Sequence, residues 1–253
     1  MTRRGAGERP EAWRHAWPFG SIERAAVKIL ALDSALSACS VAVLAEGGVR
    51  AVRRQAMSRG QAEALLPMVR AALREAGLGF GDLDRLAVTV GPGSFTGLRI
   101  GLAAARGLAL ATGLPLAGIT TLEALAAATD PAARLGRTTV ALIDSRRGDV
   151  FMQAFDAAAA PLSDPASADP AALDAVLPAG PLLLSGDAAP AVLERLRDAG
   201  RDVVLAADSA LPDPVAVARL AAARPLSGGP VTALYLRAPD VTLPQAAVLR
   251  APV

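Results

Sequence analysis

An internal repeat is the feature of this chain that most constrains its fold. An apolar run that ends in an acid and a serine occurs twice, as ILALDS ending at Ser34 and as ALIDS ending at Ser145. Each run is followed by further strand-like segments and then by segments with helical periodicity. Because such a unit recurs, the chain should form two similar layers that face each other across a cleft. The sequence therefore predicts an α/β protein built from two copies of a βββαβα unit.

Hydrophobic periodicity predicts the elements of the first copy. The spacing of Ser58 and Gln61 is typical of a capping box and predicts a helix that ends at Gly77. Pro67 lies inside this helix and predicts either a kink or a later start. The other predicted elements are strands over 27–33, 39–46, 49–55, 86–90 and 114–119, a helix from the GPGSFTG motif to about Thr112, and a helix over 121–128.

The second copy is predicted in the same way. Strands are predicted over 138–144, 149–156, 182–185 and 203–205, and alanine-rich helices near 168–177, 188–199 and 213–223. The chain is accordingly divided into an N-terminal extension, two lobes and an irregular C-terminal tail that lies on the body. The boundaries of these four regions are 1–26, 27–130, 131–224 and 225–253.

Histidine and cysteine are almost absent, which excludes several classes of function. The only histidine, His15, lies in the N-terminal extension, so the predicted fold contains no histidine for a catalytic triad or a metal site. The only cysteine, Cys39, lies in an apolar alternating run and is predicted to be a core residue. A chain without a disulfide framework fits a reducing cytoplasm, and no apolar run is long enough to predict a membrane span or an export signal.

The net charge of +2 is unevenly distributed. Residues 1–28 carry six basic and three acidic side chains, whereas the rest of the chain carries 20 basic and 21 acidic ones. The body therefore lacks the positive field of an autonomous nucleic-acid-binding protein. One local basic run remains, and it is compatible either with contact to RNA or an acidic partner or with a solvated strand edge. It consists of Arg50, Arg53, Arg54 and Arg59.

Two sets of residues are candidates for binding a nucleotide or another anion. Asp33 and Asp144 end the first strand of each copy, where acids could organise Mg²⁺, or where each could simply cap a turn. Gly93 and Ser94 precede a helix, where free N–H groups suit an anion, although a tight turn with a serine cap explains the same residues. Arg146 and Arg147 lie in a turn beside the predicted cleft, where they could meet phosphate or partner carboxylates.

The helix after this turn carries a stripe of small residues. Gly97, Gly101 and Ala105 recur every four residues, with Leu98 and Leu102 alongside, so that another helix can approach closely. Together with the preceding amphipathic helix, the stripe predicts either a partner-binding pair of helices or close packing inside the fold. The residues assigned to the partner surface are Leu65, Leu66, Met68, Val69, Leu73, Gly97, Leu98, Gly101, Leu102 and Ala105.

An ordered set of motifs resembles one protein family. ILALDS, ACSVAV, QAEALLPMV, GPGSFTGLRIG, LIDSRRGDVF, LLSGD and YLRAPDV occur in this order over about residues 27–240. They resemble the bacterial TsaB (YeaZ) family of tRNA threonylcarbamoyladenosine biosynthesis proteins. Since Val27 opens the matching region, a translation start there is a further expectation, which N-terminal mass spectrometry tests.

The resemblance implies a two-lobe, actin-like (ASKHA, RNase H-like) fold and the role of an accessory subunit. Members of the family pair with the catalytic transferase TsaD through their N-terminal helices, which also mediate self-association, and the ATPase TsaE joins the complex. The chain is thus expected to have no cofactor of its own, to meet ATP and tRNA only through the complex, and to activate modification of the adenosine beside the anticodon.

Two other functions compete with this expectation. One is an independent ATPase or kinase that uses Asp33 and Asp144 with Mg²⁺. The other is a metallopeptidase, an older label for the family. The stretch that corresponds to the metal-binding helix of the catalytic relative, residues 58–64, contains no histidine.

Overall fold

A computed structural model describes residues 27–225 and 229–237, and its strands form two mixed five-stranded sheets. The first sheet has the order β3-β2-β1-β4-β5, in which β2 pairs antiparallel with β1 and β3. β1, β4 and β5 run parallel. The strands are β1 (Ile29–Asp33), β2 (Ala38–Ala45), β3 (Gly48–Ala56), β4 (Arg85–Thr89) and β5 (Leu116–Ile119).

The second sheet repeats this arrangement strand for strand. Its order is β8-β7-β6-β9-β10, with β7 antiparallel to both neighbours and β6, β9 and β10 parallel. The duplicated unit that the sequence predicts is therefore confirmed. The strands are β6 (Thr138–Asp144), β7 (Val150–Phe155), β8 (Ala166–Ala168), β9 (Leu182–Ser185) and β10 (Val203–Leu205).

The helices cover the sheets and also connect the two units. They are α1 (Gln61–Ala76), α2 (Phe95–Thr112), α3 (Thr121–Ala128), α4 (Pro131–Arg134), α5 (Leu173–Val176), α6 (Ala189–Asp198) and α7 (Pro214–Ala223). α3 follows the last strand of the first sheet and packs against β6 and β7 of the second. α7 follows the last strand of the second sheet and packs against β1 and β2 of the first. Because each unit has a helix that packs on the other, apolar side chains of both units meet in shared clusters. None of the helices in the described part of the chain is long and apolar enough to cross a membrane.

Several details of the predicted elements differ from the structure. The N-cap of α1 is Gly60, at φ +88°, and no side chain caps the helix, so Ser58 and Gln61 do not form a capping box. α1 already begins at Gln61, so of the two alternatives predicted for Pro67 the later start is wrong, and the kink stays a prediction. The helix predicted near 168–177 is only a 3₁₀ turn over Pro170–Ala172 followed by the short α5, and β8 and α4 were not predicted.

The core of the first unit is aliphatic and lies on both faces of β1. On one face, Leu30 and Leu32 pack beneath α1, whose Leu65 and Val69 are buried. On the other face the neighbours of β1 come from α7, among them Val217. Cys39 is also fully buried, and burial raises the pKa of its thiol to about 11, which confirms it as a core residue.

α2 packs unusually close to the turn after β1, and glycine makes this approach feasible. A Cβ atom on Gly97 would lie 2.1 Å from the carbonyl oxygen of Ser34, and one on Gly101 would lie 2.7 Å from the Ser34 hydroxyl. The Ser34 hydroxyl in turn donates a 2.8 Å hydrogen bond to the carbonyl of Gly97. The same helix carries Gly107, around which a Cβ would meet nothing within 4 Å.

We predict opposite effects of alanine at two glycines of α2. Gly97→Ala should destabilise the protein by about 1–3 kcal/mol, because the added methyl group forces the helix away from Ser34. Gly107→Ala is the matched control and should stabilise it by about 0.5–1 kcal/mol, because alanine favours a helix and the site is open. Urea unfolding of both variants measures these changes. A Gly97→Ala variant as stable as the unmodified chain would refute the packing described.

Candidate functional site: the cleft between the two units

A cavity of about 1000 Å³ lies between the two units. Its walls come from the start of α2, from the loop after β6, from Asp187 and from residues 234–237. A cavity of this size that collects several charged groups is the usual place for a ligand or for a contact with a partner. The cleft that the sequence predicts is thus present in the structure.

Arginine and aspartate dominate the charge of the cleft. Arg99, Arg146, Arg147 and Arg237 line it, together with Asp144 and Asp187. Arg146 forms ion pairs of 3.1 Å with Asp144 and of 3.1 Å with Asp187. Burial raises the pKa of Asp187, and the backbone N–H of Asp144 and the charge of Arg146 oppose that rise. Arg146 therefore neutralises much of the acidic charge of the cleft.

Asp33 lies in the interior and is not among the groups that line the cleft. Its Oδ1 accepts hydrogen bonds from the Thr89 hydroxyl at 2.7 Å and from the Ala35 N–H at 3.1 Å, and its Oδ2 accepts one from the Ser40 hydroxyl at 3.3 Å. Burial raises the pKa of Asp33, and these hydrogen bonds oppose the rise. Of the two acids proposed to bind Mg²⁺, only Asp144 reaches the cleft, and the carboxylate of Asp33 ties β1 to its neighbours.

The turn before α2 is built by contacts within the chain. A Cβ atom on Gly93 would lie 2.4 Å from the carbonyl oxygen of Ala35, which accepts a 2.7 Å hydrogen bond from the Ser94 N–H. The Ser94 hydroxyl caps α2 by accepting a hydrogen bond from the Gly97 N–H at 3.3 Å. The interpretation as a tight turn with a serine cap is confirmed. Anion binding at Gly93 and Ser94, which both line the cleft, stays a prediction.

The residues assigned to a partner surface need a correction. Eight of the ten are buried within this chain, because the small-residue stripe of α2 faces Ser34 and the core cluster, and the apolar side of α1 packs on the same cluster. Their side chains are therefore not available at the surface. The buried residues are Leu65, Val69, Leu73, Gly97, Leu98, Gly101, Leu102 and Ala105. Leu66 is exposed and Met68 is half-buried, so only these two keep a direct place in the predicted surface.

The outward face of α2 carries a second stripe that sequence analysis did not single out. Ala103, Gly107 and Leu110 are exposed, and the side chain of Leu110 is 88% exposed. Their spacing of four and three residues places them on one face of the helix. Since α1 packs beside α2, the exposed Leu66 of α1 and this stripe belong to the same helical layer. We call these four residues the outer α1–α2 face.

Three of the four arginines of the basic run lie on β3 and have local partners, whereas Arg59 lies beyond the strand and is exposed. Arg53 forms a 2.7 Å ion pair with Glu75, and Arg50 pairs with Glu46. The guanidinium of Arg54 donates to the carbonyl of Pro212 at 2.5 Å. These contacts favour the interpretation of the run as a solvated strand edge.

Several cleft residues lie inside the quoted sequence motifs but were not assigned to a site from the sequence. Arg99 stacks 3.7 Å above the ring of Phe95, and that ring lies 5.7 Å from the ring of Tyr235. Asp187 contacts the end of β6, because its carboxylate accepts a hydrogen bond from the N–H of Asp144, 43 residues earlier in the chain. Asp187 is the last residue of the LLSGD motif, which was the signal in the sequence that could have pointed to it. Among residues 27–225 and 229–237, no group of three or more His, Cys, Asp or Glu side chains is placed to hold a metal ion.

Comparisons with known proteins agree with this geometry. Residues 44–214 match the family model of TsaD, tRNA N6-adenosine threonylcarbamoyltransferase. The chain is 42% identical over 126 residues to the tRNA threonylcarbamoyladenosine biosynthesis protein TsaB of Escherichia coli, an alignment that covers 49% of this chain and 53% of that protein. The chain thus spans about half the length of the curated relatives it matches.

Solved structures give the same result over a longer range. A Pseudomonas aeruginosa protein described as similar to the peptidase YeaZ is 30% identical, with a TM-score of 0.70, and the match covers 83% of this chain and all of that one. The activator of 2-hydroxyisocaproyl-CoA dehydratase from Clostridium difficile, 11% identical with a TM-score of 0.50 over 77% of this chain and 94% of that chain, shares the fold alone.

The duplicated sheets and the cleft between them define a two-unit protein with the actin-like ASKHA fold. Within this class the chain belongs to the TsaD family, and its relatives and structural matches place it in the TsaB (YeaZ) group of that family.

We predict that Asp33→Asn removes one component of the pH dependence of stability. Since burial raises the pKa of Asp33 above its ordinary value of 3.8, the folded state holds the proton more tightly than the unfolded state. The contribution of Asp33 to stability is therefore complete below pH 3.8 and is lost as the pH rises toward the folded-state pKa.

Urea unfolding at a series of pH values measures this effect. The free energy of unfolding of the unmodified chain should fall relative to that of the Asp33→Asn variant as the pH rises from about 4 to 7. Two curves that stay parallel over this range would show that Asp33 titrates normally.

Proposed function

We propose that this chain is a non-catalytic subunit of a tRNA threonylcarbamoyladenosine-forming complex, which pairs with a TsaD-like catalytic subunit and activates it. Membership of the TsaB (YeaZ) group supports this role, because the curated relatives in that group are named for the biosynthesis of this nucleoside. A TsaE-like ATPase completes the proposed assembly. Any ATP is bound elsewhere in the complex, and tRNA is reached through it.

The observation that carries the proposal is the outer α1–α2 face. Leu110 is an aliphatic side chain that is 88% exposed, and Gly107 and Ala103 beside it leave the helix backbone open to close approach. A helix of a partner can pack against such a face at short distance and bury Leu110 and Leu66. The same face would support self-association when the catalytic subunit is absent.

The contacts of the two candidate acids, Asp33 and Asp144, support an accessory role rather than nucleotide chemistry by this chain. Both carboxylate oxygens of Asp33 accept hydrogen bonds within the chain, and Asp144 pairs with Arg146. A group committed to structural contacts has to give them up before it can organise a metal and phosphates. The proposed setting is the cytoplasm, which the single buried cysteine fits.

We predict that arginine on the outer α1–α2 face weakens the complex without unfolding the chain. Leu110→Arg and Gly107→Arg each place a charge where the partner helix would pack, and each should weaken binding of the catalytic subunit at least about tenfold. Both positions are exposed, so neither variant should unfold at a lower temperature, and Gly107→Arg should unfold at a slightly higher one because arginine favours a helix more than glycine does. Leu162→Arg is the matched control, because Leu162 is 58% exposed but lies in the second unit.

Titration calorimetry with the purified catalytic subunit measures the affinity, and reconstituted tRNA modification with and without this chain measures activation. Full affinity of both arginine variants would rule out the outer α1–α2 face. Equal rates of modification with and without the unmodified chain would rule out its role as an activator.

A further inference from the structure

Residues 231–237 cross from the first unit to the second, and their first half is fixed to the first unit. The Nε of Arg106, on α2, donates a 3.1 Å hydrogen bond to the carbonyl of Val231. The side chain of Val231 packs at Gly118, where a Cβ atom would lie 2.8 Å from its Cγ1. The N–H of Leu234 donates a 2.7 Å hydrogen bond to the carbonyl of Val90, directly after β4. This half of the segment is thus held by a hydrogen bond from the Arg106 side chain, by a backbone hydrogen bond to Val90 and by close packing at Gly118.

The second half of the segment reaches the second unit. Leu236 packs against an apolar cluster that includes Ile143 and Phe151. Arg237 then forms a 3.0 Å ion pair with Asp149, in the loop between β6 and β7. The Ser145 hydroxyl donates a 2.5 Å hydrogen bond to the same carboxylate, and hydrogen bonds from serine hydroxyls are the main cause that lowers the pKa of Asp149.

The two ends of the segment differ in strength. The side chains of Arg237 and Asp149 are 44% and 22% exposed, so their ion pair is open to solvent and is screened by salt. At the other end, the hydrogen bond between the Leu234 N–H and the Val90 carbonyl and the packing of Val231 at Gly118 involve no charged group. Leu234, Tyr235, Leu236 and Arg237 also line the cleft. The segment therefore forms part of the wall of the cleft and has one firm end and one weak end.

We propose that residues 231–237 are a latch that holds the two units together across the cleft, with the Arg237–Asp149 ion pair as its releasable end. When the pair opens, Leu236 and Tyr235 leave the wall, and the cleft widens toward the loop after β6. The firm end stays on α2 through Arg106, so the latch links that helix to the second unit. The latch is a property of the isolated chain and does not depend on the proposed partner.

The only tyrosine of the chain, Tyr235, lies inside the latch and reports on its state. Selective ¹³C-tyrosine labelling of the full chain gives one ring signal, which is set by the contact with Phe95. Hydrogen exchange, measured by mass spectrometry, follows peptides from the latch and from the loop over 144–151 in the same samples.

In Arg237→Ala, exchange in both peptides should become at least about fivefold faster, and the Tyr235 ring signal should move toward its position in an unfolded peptide. Arg197→Ala is the matched control, since it removes an exposed arginine that pairs with Glu194 on α6. In the control, both readouts should equal those of the unmodified chain. The unmodified chain in 1 M salt should approach the behaviour of Arg237→Ala, which tests the latch without any substitution.

Three results would overturn the latch. In Arg237→Ala, unchanged exchange in the 144–151 peptide would show that the segment does not hold the second unit. An unchanged Tyr235 signal would show that the ring does not move with the ion pair. Equal behaviour of the unmodified chain in low and high salt would show that the ion pair does not hold the segment.

Discussion

The close approach of α2 to the turn after β1 is the contact on which the rest of the structure depends. Gly93 and Gly97 leave room for the carbonyl oxygens of Ala35 and Ser34, and no larger residue fits there without moving backbone atoms. This contact fixes the N-terminus of α2, and with it the position of Phe95 and Arg99 at the cleft. It also fixes which face of α2 is buried and which is exposed. The GPGSFTG motif looks most like a phosphate-binding loop, but its glycines first of all allow α2 to pack against the turn after β1.

The same contact separates two roles within one helix. The inward stripe, with Gly97, Gly101 and Ala105, is buried within the fold. Gly107 and Leu110 are exposed to solvent on the opposite side of the helix. Small residues on an amphipathic helix can allow close packing against the protein's own core or against a partner. They can also do so against the core on one side and a partner on the other. In this chain we propose the outward side for a partner, and Arg106 on the same helix bonds the carbonyl of Val231, in the segment whose residues 234–237 line the cleft.

Much of the fold could be predicted from the sequence, because it is encoded locally. The bounds of α3 and β6 follow from short apolar runs with clear end signals, and Asp33 and Asp144 mark equivalent strand ends in the two copies. β8 could not be predicted, because its three residues Ala-Ser-Ala have no strand preference of their own. The site was harder to predict for a physical reason. Hydrophobic periodicity shows which residues of a helix share a face, but it does not show what that face contacts. In this chain the contact is decided by the long-range pairing of β1 with β4.

The central claim is that the chain meets its catalytic partner through the outer α1–α2 face. Hydrogen exchange of the full chain, measured alone and with the purified TsaD-like subunit at saturating concentration, tests this claim most directly. The account predicts slower exchange in peptides that cover α1 and α2, and unchanged exchange in β7, α5 and α6 of the second unit. Slower exchange confined to the second unit, with α1 and α2 unaffected, would contradict it.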